Sequence, residues 1–298
     1  MEIHQTPTLE INDDLLLEKG IKLLIKREDL IHPIVSGNKW RKLKYNLQAA
    51  SSLGQDCLLT FGGAYSNHIA AVAGAGKEFG FKTIGIIRGE AHLPLNPTLA
   101  FATECGMKLI YLDRETYRSK NDPEFIKQLE KDHAPFYLIP EGGTNELAIQ
   151  GCEEIISDIA APFDILCCPV GTGGTISGLI SGLNGAKQVL GFSALKGDFL
   201  QNDVNSLLEK YRKEYTNWEI NIDYHFGGYA KIKPGLIDYI LDFEKKHNIP
   251  LEPIYTGKML FGIMDMVKEN KFLPGTTILA IHTGGLQGNA DFKFRKSL

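Results

Sequence analysis

The chain has 298 residues, a formal net charge of −4 and a pI of about 6.1, with 32 basic residues interleaved among 36 acidic ones. That balance argues against a nucleic-acid binder, and no uninterrupted apolar run is long enough to span a bilayer. The length suffices for one large or two moderate domains around a sizeable core.

The N-terminus, MEIHQTPTLEINDD, lacks the basic-then-apolar pattern of a secretory signal, so cytoplasmic residence is the default expectation. Cys57, Cys105, Cys152, Cys167 and Cys168 form no C-x-x-C pair, and several lie in apolar runs such as ILCCPV. An odd, scattered set reads as buried thiols in a reducing compartment; neither a disulfide frame nor a metal site is expected.

A first strand is expected at IKLLIK (21–26), followed by an amphipathic helix on which Trp40, Leu43, Leu47, Ala50 and Leu53 recur at helical spacing. CLLTF (57–61) leads into an Ala/Gly-rich helix over 67–79, closed by Gly80. KTIGIIR, MKLIYL and FYLIP are further short apolar runs separated by helices. DILCCPV (164–170) runs into GTGGT and then a helix. QVLGFSAL, EINIDYHF and TTILAIH complete the strands, with helices near 200–212, 234–246 and 257–269. This alternation predicts an α/β protein of two domains, each an open, mostly parallel sheet flanked by helices.

Ligands of such sheets collect beyond the carboxyl ends of the strands. Gly-bearing turns occupy those places at FGGAYSNH (61–68), EGGTN (141–145), VGTGGT (170–175) and HTGG (282–285). Gly171, Gly173 and Gly174 permit close backbone approach, and Thr172 and Thr175 add hydroxyls. Between a strand and a helix, that turn aims free amides at an anion such as a phosphate. It is neither a nucleotide P-loop nor G-x-G-x-x-G, and a purely structural turn is an equal reading of it alone. Ser66 by itself reads as a helix N-cap. Tyr229 and Tyr255 individually read as packed aromatics.

Lys39 alone reads as a solvated lysine in the basic run Lys39-Arg41-Lys42-Lys44, although a lysine at a helix start opposes the helix dipole. Lysine becomes a nucleophile towards aldehydes when burial or positive potential destabilises its ammonium form. Lysine, anion cradle and polar turn together suggest pyridoxal phosphate held as a Schiff base.

The ordered series KREDL (26–30), SGNKWRKL (36–43), GGAYSNH (62–68), VGTGGT (170–175), YTGK (255–258) and HTGG (282–285) covers essentially the whole chain. It resembles the 1-aminocyclopropane-1-carboxylate deaminase / D-cysteine desulfhydrase family of pyridoxal-phosphate enzymes. The resemblance implies the tryptophan-synthase β-like fold (fold type II). The larger, cofactor-binding domain would comprise 1–45 with 153–298, the smaller 46–152, and the cofactor would lie in the cleft between them.

The resemblance makes Lys39 the Schiff-base lysine and Gly171, Thr172, Gly173, Gly174 and Thr175 the phosphate cradle. It sets Asn67 on the cofactor's phenolic oxygen and Thr283 on its pyridine nitrogen. Ser66 would be near the substrate carboxylate and the reacting carbon, and Tyr229 and Tyr255 would face the substrate, with His68 beside them. Catalysis would thus draw on Lys39, Ser66, Tyr229 and Tyr255. Trp40 stands where the family usually has a small Thr, and Ser36 replaces a usual Gly.

The deaminase branch typically carries Ser-Asn-Gln, Tyr-Glu-Gly-Lys and His-Leu-Gly-Gly at places where this chain has His68, Thr256 and Thr283. A carboxylate at position 256 would keep the pyridine nitrogen protonated, which cyclopropane opening needs. Its absence favours α,β-elimination on a small amino acid, with D-cysteine the leading substrate and pyruvate, sulfide and ammonia the products. The alternatives are the cyclopropane deaminase, a racemase or dehydratase of hydroxy amino acids, and a non-catalytic binder of pyridoxal phosphate or another phosphorylated metabolite. The expected assembly is a homodimer.

Overall fold

A computed structural model describes residues 3–133, 135–211 and 214–290. In chain order the strands are β1 (Thr8–Ile11), β2 (Lys22–Lys26), β3 (Cys57–Gly63), β4 (Lys82–Arg88) and β5 (Lys108–Leu112). They continue with β6 (Tyr137–Ile139), β7 (Ile165–Val170), β8 (Gln188–Ser193), β9 (Trp218–Asn221) and β10 (Thr277–Ile281). The helices are α1 (Asp14–Lys19), α2 (Asn38–Ser52), α3 (Asn67–Phe79), α4 (Pro97–Glu104) and α5 (Pro123–Asp132). After them come α6 (Glu146–Ser157), α7 (Gly174–Leu183), α8 (Phe199–Lys210), α9 (Pro234–His247) and α10 (Thr256–Lys268).

Two sheets result, in the orders β1-β2-β10-β7-β8-β9 and β5-β4-β3-β6. Every pairing is parallel except β1 with β2, where Thr8 faces Lys26. The larger sheet has a core on each face, as two-residue strand periodicity demands. Leu23, Ile25, Ile278 and Ala280 point towards α9 and α10, while Leu24, Leu279 and Ile281 point towards α7 and α8. The smaller sheet divides likewise, Leu58 joining α2 and α3 on one face and Leu59 and Phe61 the α5 side on the other.

The strand at 21–26 is preceded by β1, which sequence reading did not anticipate because only Ile11 of its four residues is buried. Short α1 was likewise not anticipated, although Asp13 caps its start and Gly20, at φ 66°, its end. The helix expected over 67–79 is α3, ended by left-handed Gly80. The helix expected near 200–212 ends at Lys210, and residue 212 lies outside the described residues.

The smaller sheet lies wholly between Cys57 and Ile139. Cuts after residues 45 and 152 fall inside α2 and α6, so the chain passes between the two sheets along helices rather than linkers. Close packing joins these two helices: a Cβ on Gly151 of α6 would lie 1.9 Å from the Arg41 carbonyl oxygen of α2. Cys57, Cys152, Cys167 and Cys168 are buried free thiols, and Cys105 is half-buried. Among the described residues no helix is long and apolar enough to cross a membrane.

Candidate active site

The carboxyl ends of β2, β3, β6, β7 and β10 converge on a cleft of about 1060 Å³. The turns that leave those strands line it, as expected for parallel sheets. Lys39, Ser66, Asn67, His68, Tyr229 and Tyr255 all reach it, as do Thr283 and the whole of 171–175.

Lys39 sits in the first turn of α2, and the chain must pivot sharply to bring it there. Gly37 makes the pivot at φ 64°, and a Cβ at that position would lie 2.0 Å from the Thr283 carbonyl oxygen. The same oxygen accepts the Asn38 amide at 3.2 Å, while Asn38 Nδ2 donates to Thr175 Oγ1 at 2.7 Å. The lysine is thus stitched to both the HTGG turn and the glycine cradle. Burial, reinforced by the charge of Lys42, brings the Lys39 amine down from 10.5 to about 7.

The cradle is the first turn of α7, entered through Gly173 at φ 79°. Its leading amides have no partner within the helix and point at the cleft. Lys42, one turn beyond Lys39, delivers its buried ammonium to the same spot. Nζ donates to the Gly142 carbonyl at 2.8 Å and to Thr144 Oγ1 at 3.1 Å, and a Cβ on Gly174 would stand 3.0 Å from it. Burial lowers Lys42 to about 8, a charge that an anion would restore. Sequence reading assigned Lys42 to a solvated basic run. Its spacing of three from Lys39, one helical turn, was the available signal.

Ser66 is the N-cap of α3, its Oγ accepting the amides of His68 at 3.2 Å and Ile69 at 3.3 Å. That leaves the hydroxyl hydrogen free to donate into the cleft, so the capping and ligand-facing readings coexist. Asn67 is half-buried, but its Oδ1 is itself buried and has no hydrogen-bond partner among the described residues. Gly285 is required beside it, since a Cβ there would come within 2.7 Å of Asn67 Nδ2. His68, only 2% exposed, pairs Nε2 with Thr60 Oγ1 at 2.8 Å. Burial and then the two lysines hold it well below the usual histidine range, so it is a neutral imidazole.

Tyr255 lies against the cradle, with its hydroxyl 3.1 Å from where a Gly171 Cβ would be. Its ring meets that of Tyr229 edge-on at 6.2 Å. Burial, together with the neighbouring Tyr229 and Glu252, raises the Tyr255 phenol well above its ordinary value. Glu252, another residue that sequence reading passed over, is 1% exposed and shapes this corner. Its carboxylate accepts the amides of Ile254, Tyr255 and Thr256 at 2.7, 2.8 and 2.6 Å, as well as the Thr256 hydroxyl at 3.1 Å. Thr256 therefore turns into the helix start, and Thr283 supplies the hydroxyl on that wall of the cleft.

Trp40 does not narrow the cleft. It stacks on Phe79 at 5.8 Å and belongs to the core of the smaller sheet. Ser36 donates to the Asp29 carbonyl at 2.9 Å behind the Gly37 pivot.

A phosphate-bearing aromatic aldehyde fits these residues. The cradle and Lys42 suit the anion, the unpartnered Asn67 amide oxygen wants a ligand, and the Lys39 amine, brought by burial to about 7, is partly unprotonated near neutrality.

Comparison with known proteins agrees. The model of the pyridoxal-phosphate dependent enzyme family matches residues 1–284. A protein of Pyrococcus horikoshii provisionally named 1-aminocyclopropane-1-carboxylate deaminase is 31% identical, covering 91% of this chain and 86% of its own. The bifunctional D-cysteine desulfhydrase/1-aminocyclopropane-1-carboxylate deaminase of Arabidopsis thaliana mitochondria is 30% identical, covering 92% and 75%. A crystal structure described as an ACC deaminase homologue superposes with a TM-score of 0.83 at 29% identity, covering 99% of this chain and 94% of that one. Family match, fold and cleft chemistry coincide over the same residues, and the chain belongs to the pyridoxal-phosphate dependent enzymes, which hold their cofactor through a lysine.

Proposed function

We propose that the protein catalyses α,β-elimination on a small amino acid, with D-cysteine as substrate and pyruvate, sulfide and ammonia as products. The observation that carries this is the make-up of one cleft wall. Thr283, Gly284, Gly285 and Tyr255 form it, and none of them carries a carboxylate. Glu252 is close behind, but backbone amides and Thr256 occupy its oxygens. A neutral hydroxyl holds a proton on a ring nitrogen less firmly than a carboxylate does. Elimination tolerates the weaker electron sink because the leaving thiolate carries the electrons away.

Lys39 would hold the cofactor, Gly171–Thr175 and Lys42 would hold its phosphate, and Asn67 and Thr283 would hold its ring. The bound group supplies the electron sink; the chain supplies the proton handling. Lys39, whose proton affinity burial lowers, would be the base that takes the α-proton. The Tyr255 phenol stays protonated and would give a proton to departing sulfide. Ser66 donates to the substrate carboxylate. The enamine that leaves hydrolyses to pyruvate and ammonia. On this reading residues 46–152 are the smaller domain, 1–45 with 153–298 the larger, cofactor-binding one, and the active site lies in the cleft between them. Buried free thiols support a cytoplasmic location, and the likeness to the family supports a homodimer.

The test is to incubate pure, pyridoxal-phosphate-loaded protein with D-cysteine, L-cysteine and 1-aminocyclopropane-1-carboxylate in parallel. Sulfide and pyruvate from D-cysteine are expected. Absence of both rejects the reaction, and 2-oxobutyrate from the cyclopropane substrate would install the deaminase reading instead.

A further inference from the structure

The lysine of the YTGK series has no part in the site as described so far. Lys258 is 1% exposed on α10, one turn after Tyr255, and it points away from the cleft. Its Nζ donates to two backbone carbonyls, His225 at 2.9 Å and Gly228 at 2.9 Å. Burial brings the amine down to about 8. A buried ammonium is costly, so it persists where its bonds hold something in place.

Both carbonyls belong to the connection between β9 and α9, which carries Tyr229. Four residues of that turn have positive φ: Phe226 at 55°, Gly227 at 100°, Gly228 at 111° and Ala230 at 54°. Two of the four have side chains, and such conformations last only where their surroundings over-determine them. Two contacts from α10 do so: the Lys258 bonds, and the Phe226 ring set edge-on against Phe261 at 5.0 Å. The helix whose N-cap is Tyr255 therefore also grips the turn that places Tyr229 against Tyr255.

We propose that Lys258 is a positioning residue, fixing the 225–230 turn so that Tyr229 stands over the cleft. Its effect on turnover passes through Tyr229, so this part rests on the reading that Tyr229 faces substrate.

Two measurements test it. The first needs no substrate: limited trypsin digestion of the native protein, following cleavage after exposed Lys231. Lys258→Met is expected to speed that cut about tenfold, because cleavage tracks local opening. An unchanged rate overturns the proposal, whether or not D-cysteine is turned over. The second is a double-mutant cycle of Lys258→Met with Tyr229→Phe on the cofactor-loaded enzyme. Lys258→Met alone is expected to lower kcat/KM about tenfold, with less than a threefold further loss in the Tyr229→Phe background. Fully additive losses would show that Lys258 does not act through Tyr229. Should Lys258→Met fail to fold, Lys258→Gln, which keeps one donor, takes its place in both comparisons.

Discussion

Lys39 carries a charge problem that the protein turns to use. An ordinary lysine is protonated up to about pH 10, whereas burial and Lys42 bring this one to about 7. The sign follows directly: raising the pH through 7 removes the proton and creates the nucleophile. The rate at which apoprotein condenses with pyridoxal lacking its phosphate is expected to rise through a midpoint near 7 and then level off. Lys42→Met removes a repelling charge and should move that midpoint upward. A rate that climbs without levelling until pH 10 would show an unperturbed lysine. Much of this was legible beforehand, since a lysine at a helix start is out of place on dipole grounds alone. The magnitude was not, because it depends on Lys42 arriving from the next turn and on burial by segments distant in the chain.

Helix α2 contributes more than Lys39 and Lys42. Arg41, between them in sequence, points to the opposite side, where Nε and a terminal nitrogen meet Glu28 at 2.9 and 3.2 Å. Glu28 is fully buried, and its other side-chain partner is the Thr6 hydroxyl at 2.7 Å. Removing the arginine strands a buried carboxylate. Arg41→Met is therefore expected to cost about 3–5 kcal/mol, read as a lowered midpoint in denaturant unfolding with an unchanged slope. A cost below about 1 kcal/mol, the range of exposed pairs, would contradict the burial of this pair. Sequence reading placed the helix through its apolar stripe, but saw Arg41 only as one member of a basic run. Helical periodicity shows which residues share a face; it does not show that a carboxylate from another segment awaits the one pointing elsewhere. The same limit hid Glu252, held by backbone amides and the Thr256 hydroxyl, and the role of Lys258, which bonds two backbone carbonyls. β1 went unread for a different reason: a short edge strand with one buried residue leaves no alternation to detect.

At the scale of the whole molecule, two mostly parallel sheets turn the carboxyl ends of their parallel strands towards one cleft, and the Gly-bearing turns marked those ends in the sequence. Alternation of strand and helix therefore sufficed for the fold class, and the spacing of the glycines for the cleft. Residues far apart in the chain meet there: the Thr283 turn accepts the Asn38 amide, Thr175 accepts the Asn38 side chain, and Lys42 bonds Gly142. Two amines with lowered proton affinity consequently lie one helical turn apart, and the geometry gives them different partners. Lys42 is engaged by Gly142, Thr144 and the cradle, and the proposed function gives the ring to Lys39. Borohydride reduction of the loaded protein followed by tandem mass spectrometry of the segment 35–47 decides between them. A phosphopyridoxyl group on Lys39 is the expected result; the group on Lys42, or on neither lysine, would contradict it.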